Sequence, residues 1–255
     1  MEGASGKKGG LQLELNKIFN MDCLKGMKLI PGKSVDMIFT DLPYGSTNCK
    51  WDSVIPLDSL WNQYERIIKD NGAILLFAQT PFDKVLGASN LKLLRYEWIW
   101  EKTAATGHLN AKKMPLKAHE NILVFYKKLP TYNPQKTTGP KPVYSYTKYL
   151  DTQNRSEIYN SATKEVSGGG STERYPRSVL TYSSDKQKLN LHPTQKPLEL
   201  VQDMIKTYSD EGQTILDSCI GSGTTAVACL RTNRNFIGFE NYSVFFEVAN
   251  ELIIT

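Results

Sequence analysis

The chain has 255 residues, 40% of them hydrophobic, and a formal net charge of +5. It can bury one sizeable core, either as one domain with a large insertion or as two domains, and no apolar run approaches the roughly 20 residues that span a membrane. Its four cysteines form no C-x-x-C pair and it has only three histidines, which argues against a structural zinc site and favours a cytoplasmic protein with reduced thiols.

The first predicted elements belong to an α/β pattern. The chain begins with MEGASGKKGG, which lacks the apolar stretch of a signal peptide, so we expect a flexible leader over residues 1–14. From residue 15 to 130, short apolar runs alternate with longer amphipathic ones. KSVDMIFTD is typical of a buried strand, LDSLWNQYERIIKDNG of a helix that ends at Asn71 and Gly72, and three more strands follow in AILLFAQ, YEWIWEK and NILVFYKK. Strands separated by helices predict a mostly parallel sheet that is covered on both faces.

Residues 131–190 have a different composition, polar and rich in Pro, Gly, Ser and Tyr. They hold nine Lys and Arg against five Asp and Glu, a net charge of +4, and seven of the thirteen tyrosines. A solvated linker needs few tyrosines, whereas a nucleic-acid surface uses aromatic and cationic side chains together. We therefore expect this segment to bind nucleic acid, with Lys136, Lys141 and Lys148 as candidates for phosphate contacts.

The α/β pattern resumes at residue 191. LHPTQKPLELVQDMIKTYSDEG contains a helix that begins near Pro197, a residue suited to the first helical turn. TILDSCIGSGTTAVACLRTNRNFIGFEN then has the pattern of a strand, a Gly-rich turn, a helix and a second strand. The segment from 191 to 255 is thus predicted to contain a βαβ unit.

This βαβ unit has features of a site for a nucleoside-type cofactor. Gly221 and Gly223 would let the backbone approach a ligand, and the N-terminus of the next helix offers unpaired N–H groups. Asp217 ends the first strand and Glu240 the second, where an acid can accept hydrogen bonds from ribose hydroxyls. A P-loop is excluded because GSGTT has no lysine. A dinucleotide such as NAD stays open on this stretch, since Ala226 is permitted in its fingerprint.

The other end of the chain decides between these cofactors. In IFTDLPYGSTNCKW an apolar strand ends in an acid, a proline and an aromatic residue. DLPYG and DSCIGSGTT together resemble the β class of the DNA amino-methyltransferases, whose signatures are Asp/Asn/Ser-Pro-Pro-Tyr/Phe and Asp-Pro-Phe-x-Gly-Ser-Gly-Thr-Thr. The order also matches this class: the catalytic motif comes first, then a target-recognition segment, an HPTQKP-like motif at residues 192–197, and the S-adenosylmethionine loop.

The resemblance covers roughly residues 15–250 and implies a Rossmann-like, S-adenosylmethionine-dependent methyltransferase fold with circularly permuted motif order. Residues 15–130 would form the catalytic half, 131–190 an inserted target-recognition segment, and 191–255 the cofactor-binding half. The motifs depart from the family in two places. Leu42 replaces the first proline of the catalytic signature, at a position that contributes its backbone carbonyl. Ser218-Cys219 replaces Pro-Phe, and we expect looser packing around the methionine part of the cofactor there.

The resemblance also implies a catalytic role for DLPY. An exocyclic amino nitrogen of a base is a poor nucleophile because its lone pair is delocalised into the ring. The Asp41 carboxylate and the Leu42 carbonyl would accept hydrogen bonds from its two N–H groups. These bonds would localise electron density on the nitrogen and direct it at a sulfonium methyl. Duplex DNA hides this nitrogen, so the base must flip out, and the Tyr44 ring would give it a stacking face. Pro43 would stiffen the turn.

The acid of the catalytic signature, Asp41, indicates the target base. Methylation of cytosine C5 would need a Pro-Cys nucleophile, and no cysteine here follows a proline. The family tendency is Asp for adenine N6 and Ser for cytosine N4, so Asp41 favours a site-specific adenine-N6 methyltransferase with cytosine N4 as the alternative. An NAD-dependent oxidoreductase leaves DLPYG and the basic segment unexplained. A non-catalytic DNA-binding module would not need an intact methyl-donor pocket.

The remaining expectations concern ligands and partners. The residues assigned to the cofactor are Asp22, His192, Lys196, Asp217, Cys219, Gly221, Gly223, Thr224, Thr225 and Glu240. Asp22 matches the acid that lies near the adenine ring of the cofactor in the family, and a helix N-cap is the alternative for this residue. Double-stranded DNA is the expected partner, without a metal or a membrane, and a homodimer is expected by analogy with the family.

Overall fold

The computed structural model describes residues 13–45, 53–139, 141–142, 146–148, 166–183 and 195–254. The described residues up to Asn133 and those from Ser178 onward form one compact unit, and those of Pro134–Arg177 form a second. Among the described residues, no helix is long and apolar enough to cross a membrane. The same residues contain no cluster of His, Cys, Asp and Glu that could hold a metal ion.

Strands and helices alternate along most of the larger unit. The strands of the described chain are β1 (Lys17–Asn20), β2 (Val35–Asp41), β3 (Ile68–Ala78), β4 (Leu94–Thr106), β5 (Lys117–Tyr126), β6 (Thr137–Thr138), β7 (Tyr146–Lys148), β8 (Val166–Gly168), β9 (Glu173–Arg174), β10 (Val179–Tyr182), β11 (Thr214–Asp217) and β12 (Asn235–Glu240). The α-helices are α1 (Cys23–Met27), α2 (Leu57–Ile67), α3 (Phe82–Ser89), α4 (Leu198–Tyr208), α5 (Thr224–Arg231) and α6 (Ser243–Ile254).

The larger unit is built on one eight-stranded sheet in the order β1-β12-β11-β2-β3-β5-β4-β10. Strand β5 is antiparallel to both of its neighbours, and every other pair in this sheet is parallel. The predicted α/β class with a mostly parallel sheet is confirmed. Since β4 is antiparallel to β5, and β5 to β3, strand β4 runs in the same direction as β2.

The central strands consist mainly of apolar residues because helices cover both faces of the sheet. Along β2, Met37 and Phe39 belong to the core on the face of α4 and α5, with Met204 of α4. Ile38 points to the other face, where it shares a core with Tyr64 of α2. The alternation of side chains in a strand therefore divides one apolar run between two separate cores.

The prediction that the second helix continues to Asn71 and Gly72 is wrong. Helix α2 ends at Ile67, and Ile68 is extended and pairs with Val35 as the first residue of β3. Apolar residues at positions 67 and 68 continue the helical spacing, but pairing with β2 decides their conformation. A β-carbon on Gly72 would lie 2.6 Å from the Asp36 carbonyl oxygen, so glycine permits the close approach of two strands at a register shift.

Part of the predicted insert belongs to the larger unit. Residues 179–182 form β10, which pairs with β4 and ends the sheet. The indole N–H of Trp100 donates to the Tyr182 carbonyl at 3.1 Å, and the Tyr182 hydroxyl donates to Asp203 of α4 at 2.5 Å. The second unit contains two short antiparallel pairs, β6 with β9 and β7 with β8. Whether this unit recognises a target stays a prediction.

Candidate active site

The carboxyl ends of the parallel strands meet at one edge of the sheet, which is where open α/β sheets bind ligands. A cavity of ≈ 380 Å³ lies at this edge, within the size range of small-molecule sites. Twelve of the predicted site residues line it: Asp22, Asp41, Leu42, Pro43, Tyr44, Lys196, Asp217, Cys219, Gly221, Thr224, Thr225 and Glu240. The DLPY motif and the Gly-rich turn, which are far apart in the sequence, therefore line a single cavity.

Asp41, the last residue of β2, has an interaction at each carboxylate oxygen. The Tyr44 hydroxyl donates to Oδ1 at 2.7 Å, and the Lys196 ammonium lies 2.6 Å from Oδ2. The side chain remains 28% exposed, toward the cavity. Burial raises the pKa of Asp41, and the nearby Lys196 cation opposes this rise. An ionised carboxylate can accept about four hydrogen bonds, so Asp41 retains acceptor capacity for a ligand.

Lys196 connects Asp41 to a second buried acid, Glu120. Its ammonium also lies 3.1 Å from Glu120 Oε2, and Glu120 Oε1 accepts from Lys102 at 2.5 Å. Burial disfavours the charged ammonium, but Asp41 and Glu120 outweigh it and raise the pKa of Lys196. Burial likewise acts against the Glu120 anion, but Lys196 and Lys102 lower its pKa. The four charges alternate in sign, which favours the charged forms of Lys196 and Glu120.

The sequence reasoning missed Glu120 and Lys102. Glu120 lies on β5 and Lys102 on the adjacent strand β4. In the register of these strands Glu120 pairs with Trp100, two residues before Lys102. A signal was present, since charged residues interrupt the apolar alternation at the end of each strand nearest the cavity: Glu101 and Lys102 in β4, and Lys117 and Glu120 in β5. This pattern indicated charges near the edge of the sheet but not their partners. Lys196 lies beside Asp41, the predicted catalytic residue, so its predicted contact with the cofactor stays a prediction.

The aromatic residue of the catalytic motif is held by packing as well as by its hydroxyl. The Tyr44 ring packs against Phe82 of α3, with ring centroids 5.2 Å apart. The Lys196 ammonium lies 5.0 Å from the centroid of Phe77, which precedes the end of β3. Leu42 is buried, with 4% of its surface exposed. The motif therefore sits on a rigid base formed by β2, β3 and α3.

The Gly-rich turn after β11 is anchored by the two strand-end acids. Glu240 accepts the backbone N–H of Gly221 at Oε2, at 3.0 Å, and that of Tyr242 at Oε1, at 2.8 Å. Asp217 Oδ1 accepts the backbone N–H of Cys219 at 3.0 Å. Gly221 has a φ of +54°, and a β-carbon on it would meet no atom within 4 Å, so its backbone is open to the cavity. The acids thus shape the turn that a ligand would approach.

Burial dominates the titration of both acids. Burial raises the pKa of Asp217 to about 7, although hydrogen bonds from the Thr225 hydroxyl and the Cys219 N–H stabilise the anion and lower the pKa. Burial also raises the pKa of Glu240, although its backbone N–H donors lower it. A strand-end acid with a pKa near neutrality is a feature of functional sites, because a bound ligand can change its protonation.

Gly223 is the one described residue of the predicted cofactor set that does not line the cavity. Its φ is +90°, it is the N-cap of α5, and a β-carbon there would lie 3.1 Å from that of Ala249 in α6. The glycine permits close packing of α6 against the turn, and its contact with a cofactor stays a prediction. The predicted cofactor residue His192 lies outside the described residues.

The two departures from the family motif in this turn have different environments. Ser218 is buried, its hydroxyl lies 2.7 Å from that of Tyr64, and its N–H donates to the Thr40 hydroxyl at 3.1 Å. These partners satisfy the polar atoms, so the serine is well packed. Contact with the Cys23 thiol, together with burial, raises the pKa of Cys219 well above its ordinary value.

Asp22 fits both interpretations of its role. It is the N-cap of α1, where its carboxylate accepts the backbone N–H of Lys25 at 3.0 Å. It also lines the cavity on the side of β1. One carboxylate oxygen is used in the cap, and the other is available to a ligand.

The three predicted DNA-binding lysines belong to the second unit. Lys136 forms an ion pair with Glu173 at 2.9 Å and lies 4.9 Å from the ring centroid of Tyr175. The Lys141 side chain is exposed, and its carbonyl accepts from Arg174. Lys148 lies in β7, and its side chain is outside the described residues. Glu173 therefore neutralises part of the positive charge that the composition predicted for this unit.

Comparison with known proteins identifies related sequences over nearly the whole chain. A family model described as DNA methylase, N6_N4_Mtase, matches residues 35–251. Type II methyltransferase M1.MboII of Moraxella bovis is 29% identical over 259 residues, which cover 93% of this chain and 96% of that protein. DNA adenine methyltransferase YhdJ of Escherichia coli (strain K12) is 27% identical over 256 residues, which cover 92% and 82%.

Solved structures share the fold. The crystal structure of an M1.HpyAVI–SAM complex has a TM-score of 0.62 and 24% identity, and the match covers 92% of this chain and 98% of that chain. The cytosine-N4-specific PvuII DNA methyltransferase has a TM-score of 0.68 and 13% identity, with 94% and 86% covered. One structure that shares the architecture is thus named for cytosine N4, whereas a relative in sequence is named for adenine.

Proposed function

The chain belongs to the DNA methylase family of the N6/N4 amino-methyltransferases, as the sequence resemblance predicted, and we propose that it methylates adenine N6 in double-stranded DNA with S-adenosylmethionine as donor. The observation that carries this proposal is the carboxylate of Asp41. It ends a buried strand, faces the same cavity as the Gly-rich turn, and is held from both sides by Tyr44 and Lys196.

Asp41 acts as the acceptor for the target amino group. Its oxygens are oriented by the Tyr44 hydroxyl and the Lys196 ammonium, so little reorganisation is needed when an N–H donor arrives. The Leu42 carbonyl is the second acceptor. Withdrawal of both N–H hydrogens into hydrogen bonds restores electron density to the amino nitrogen, and the rigid strand end fixes its direction of attack.

The residues at the other end of the cavity fit S-adenosylmethionine. Gly221 leaves open space beside its backbone, and Glu240 and Asp22 offer acceptors for ribose and adenine groups. When bound, this cofactor supplies an electrophilic methyl group on a sulfonium. The turn offers this ligand the open backbone face at Gly221 and the N-terminus of α5, and Asp217, with a pKa of about 7, can change its protonation state as the ligand binds.

The choice of adenine rests on the acid at position 41 and on a relative named as an adenine methyltransferase. The fold does not distinguish the bases, since the PvuII enzyme is named for cytosine N4. Cytosine-N4 methylation is therefore the second candidate. A homodimer is a further proposal, supported only by analogy with the family.

The test is incubation of the protein and unmethylated plasmid DNA with a radiolabelled methyl donor, followed by nucleoside analysis. We expect label in N6-methyl-2′-deoxyadenosine. The Asp41→Ala variant should lose on the order of 100-fold or more in single-turnover rate. It should remain folded, because Lys196 keeps Glu120 as a partner, and it should keep its affinity for DNA, to which phosphate contacts contribute most.

Each other outcome has a defined meaning. Label in N4-methyl-2′-deoxycytidine alone would transfer the proposal to cytosine. An Asp41→Ala variant that is folded, binds DNA and transfers methyl groups at the parental rate would refute the role of Asp41. A folded parent that binds S-adenosylmethionine but labels no DNA of any composition would refute the activity.

A further inference from the structure

The hairpin that joins β4 to β5 carries exposed side chains that nothing in the fold requires. Thr106 pairs with Lys117, and residues 107–116 form the tip, with a 3₁₀ turn at His108–Asn110. From Thr106 to His119 every residue except Leu116 is exposed. Leu109 is fully exposed, at 101% of its reference surface, and Met114 is 53% exposed.

The charge of this hairpin tip is of one sign. Residues 106–119 contain Lys112, Lys113 and Lys117 and no Asp or Glu. A single exposed leucine is common on protein surfaces and carries no meaning by itself. Here the leucine lies at the end of a protrusion, and all the charges near it are cationic. Such a surface is suited to a DNA duplex, which is anionic outside and apolar between its stacked bases.

The hairpin also lies next to the cavity. Since β4 runs in the same direction as β2, Thr106 lies at the edge of the sheet where Asp41 ends β2. Lys102, Ala104 and Thr106 of β4 line the cavity. The tip is therefore the continuation of a wall of the cavity, beyond its mouth.

We propose that the hairpin tip, residues 107–116, binds double-stranded DNA beside the target base, with Lys112 and Lys113 on phosphates and Leu109 inserted into the base stack. This inference rests on the proposed action on a flipped base. Extrusion of a base costs stacking and pairing free energy, and an apolar side chain that fills the vacated space offsets part of this cost. Asp41 would then receive a base that the tip keeps out of the duplex.

The role of Leu109 is tested by the rate of single-turnover methylation on a duplex that the parent methylates, and on the same duplex with a mismatch opposite the target. Leu109→Ala should be about 10-fold slower or more on the matched duplex, and most of the loss should disappear on the mismatched one, because a mispaired base costs less to flip. The matched control is Leu91→Ala, since Leu91 is 69% exposed and precedes the opposite end of β4.

The role of the lysines is tested by the salt dependence of binding to the same duplex. Lys112→Gln with Lys113→Gln should reduce the slope of log K against log salt by about 1.8, at roughly 0.9 for each phosphate contact. The control is Lys127→Gln with Lys128→Gln, an exposed pair directly after β5, at the opposite edge of the sheet. Melting temperature and S-adenosylmethionine binding should be unchanged in all variants.

Three results would overturn the inference. The first is a Leu109→Ala rate equal to that of Leu91→Ala on the matched duplex, and the second is a loss of equal size on both duplexes. The third is a salt slope unchanged by the Lys112 and Lys113 substitutions, as expected if this surface binds a protein instead. A parent that methylates no DNA would count against the proposed function, whereas a parent that methylates while the hairpin variants match their controls would count against the hairpin alone.

Discussion

Replacement of Lys196 by methionine would leave two buried acids without the cation between them. Lys196 lies 2.6 Å from Asp41 and 3.1 Å from Glu120, with only 10% of its side chain exposed. At an effective dielectric constant of about 20, these separations correspond to gross attractions of about 6 and about 5 kcal/mol. Methionine has a similar length and no charge, so the change removes the attraction while filling most of the space.

The net loss of stability is smaller than these attractions for two reasons. The desolvation cost of the ammonium disappears with the charge. A carboxyl with an ordinary pKa near 4 can also take up a proton at pH 7 for about 4 kcal/mol, which limits the penalty. Glu120 keeps its ion pair with Lys102, so Asp41 is the acid that becomes protonated. For a chain of this length, about 4 kcal/mol lowers the melting temperature by roughly 8–16 °C.

The pH dependence has a defined sign. Burial already raises the pKa of Asp41, and Lys196 opposes the rise, so Lys196→Met must raise it further. Since methyl transfer needs the ionised acceptor, the acidic limb of the kcat profile should move to higher pH. The folded-state pKa is then above the unfolded value, so the loss of stability should be small at low pH and grow as the pH rises through the folded-state pKa.

The assay is single-turnover methyl transfer and thermal unfolding, each measured from pH 5 to pH 9. Lys102→Met is the matched control, because Lys102 pairs with Glu120 but not with Asp41. It should move the acidic limb much less. A folded Lys196→Met protein whose kcat profile coincides with that of the parent would show that Lys196 does not control Asp41.

Three further predictions concern the cofactor turn and the second unit. Gly221→Val should abolish S-adenosylmethionine binding in calorimetry, whereas Gly212→Val, at a glycine with a similar positive φ outside the cavity lining, should cost stability only. Asp217→Asn should stabilise the cofactor-free protein by up to about 4 kcal/mol at pH 8 and not at pH 4. The reason is that the pKa of Asp217 is raised from 3.8 to about 7 in the folded state, so the ionised carboxylate lowers the free energy of unfolding as the pH rises. Equal melting temperatures of variant and parent at pH 8 would contradict the raised pKa. Glu173→Gln should free Lys136 and steepen the salt dependence of DNA binding by about 0.9, and an unchanged slope would argue against DNA at this site.

Local patterns were sufficient wherever a short stretch carries its own physical signal. The apolar run of β2 indicated a strand buried on both faces, and the acid after it marked the strand end. The turn from Gly221 to Thr225, followed by Glu240, indicated a ligand site from residues within one βαβ unit. The resemblance to the N6/N4 family depended on such motifs, and the family match confirms it.

The tertiary structure decided what depends on residues far apart in the chain. Strand pairing ended α2 at Ile67 although the helical spacing continues, and it placed β10 in the main sheet although its composition matches the polar segment before it. Close packing of α6 gives Gly223 a structural role that the motif alone did not indicate.

The charge network around Asp41 is the clearest case. Lys196 follows Asp41 by 155 positions, and Glu120 comes from a strand that is separated from β2 by β3. No local periodicity encodes such a pairing, because it depends on the order of strands in the sheet. Sequence therefore determined which residues end the strands, and only the assembled sheet determined which charges those residues meet.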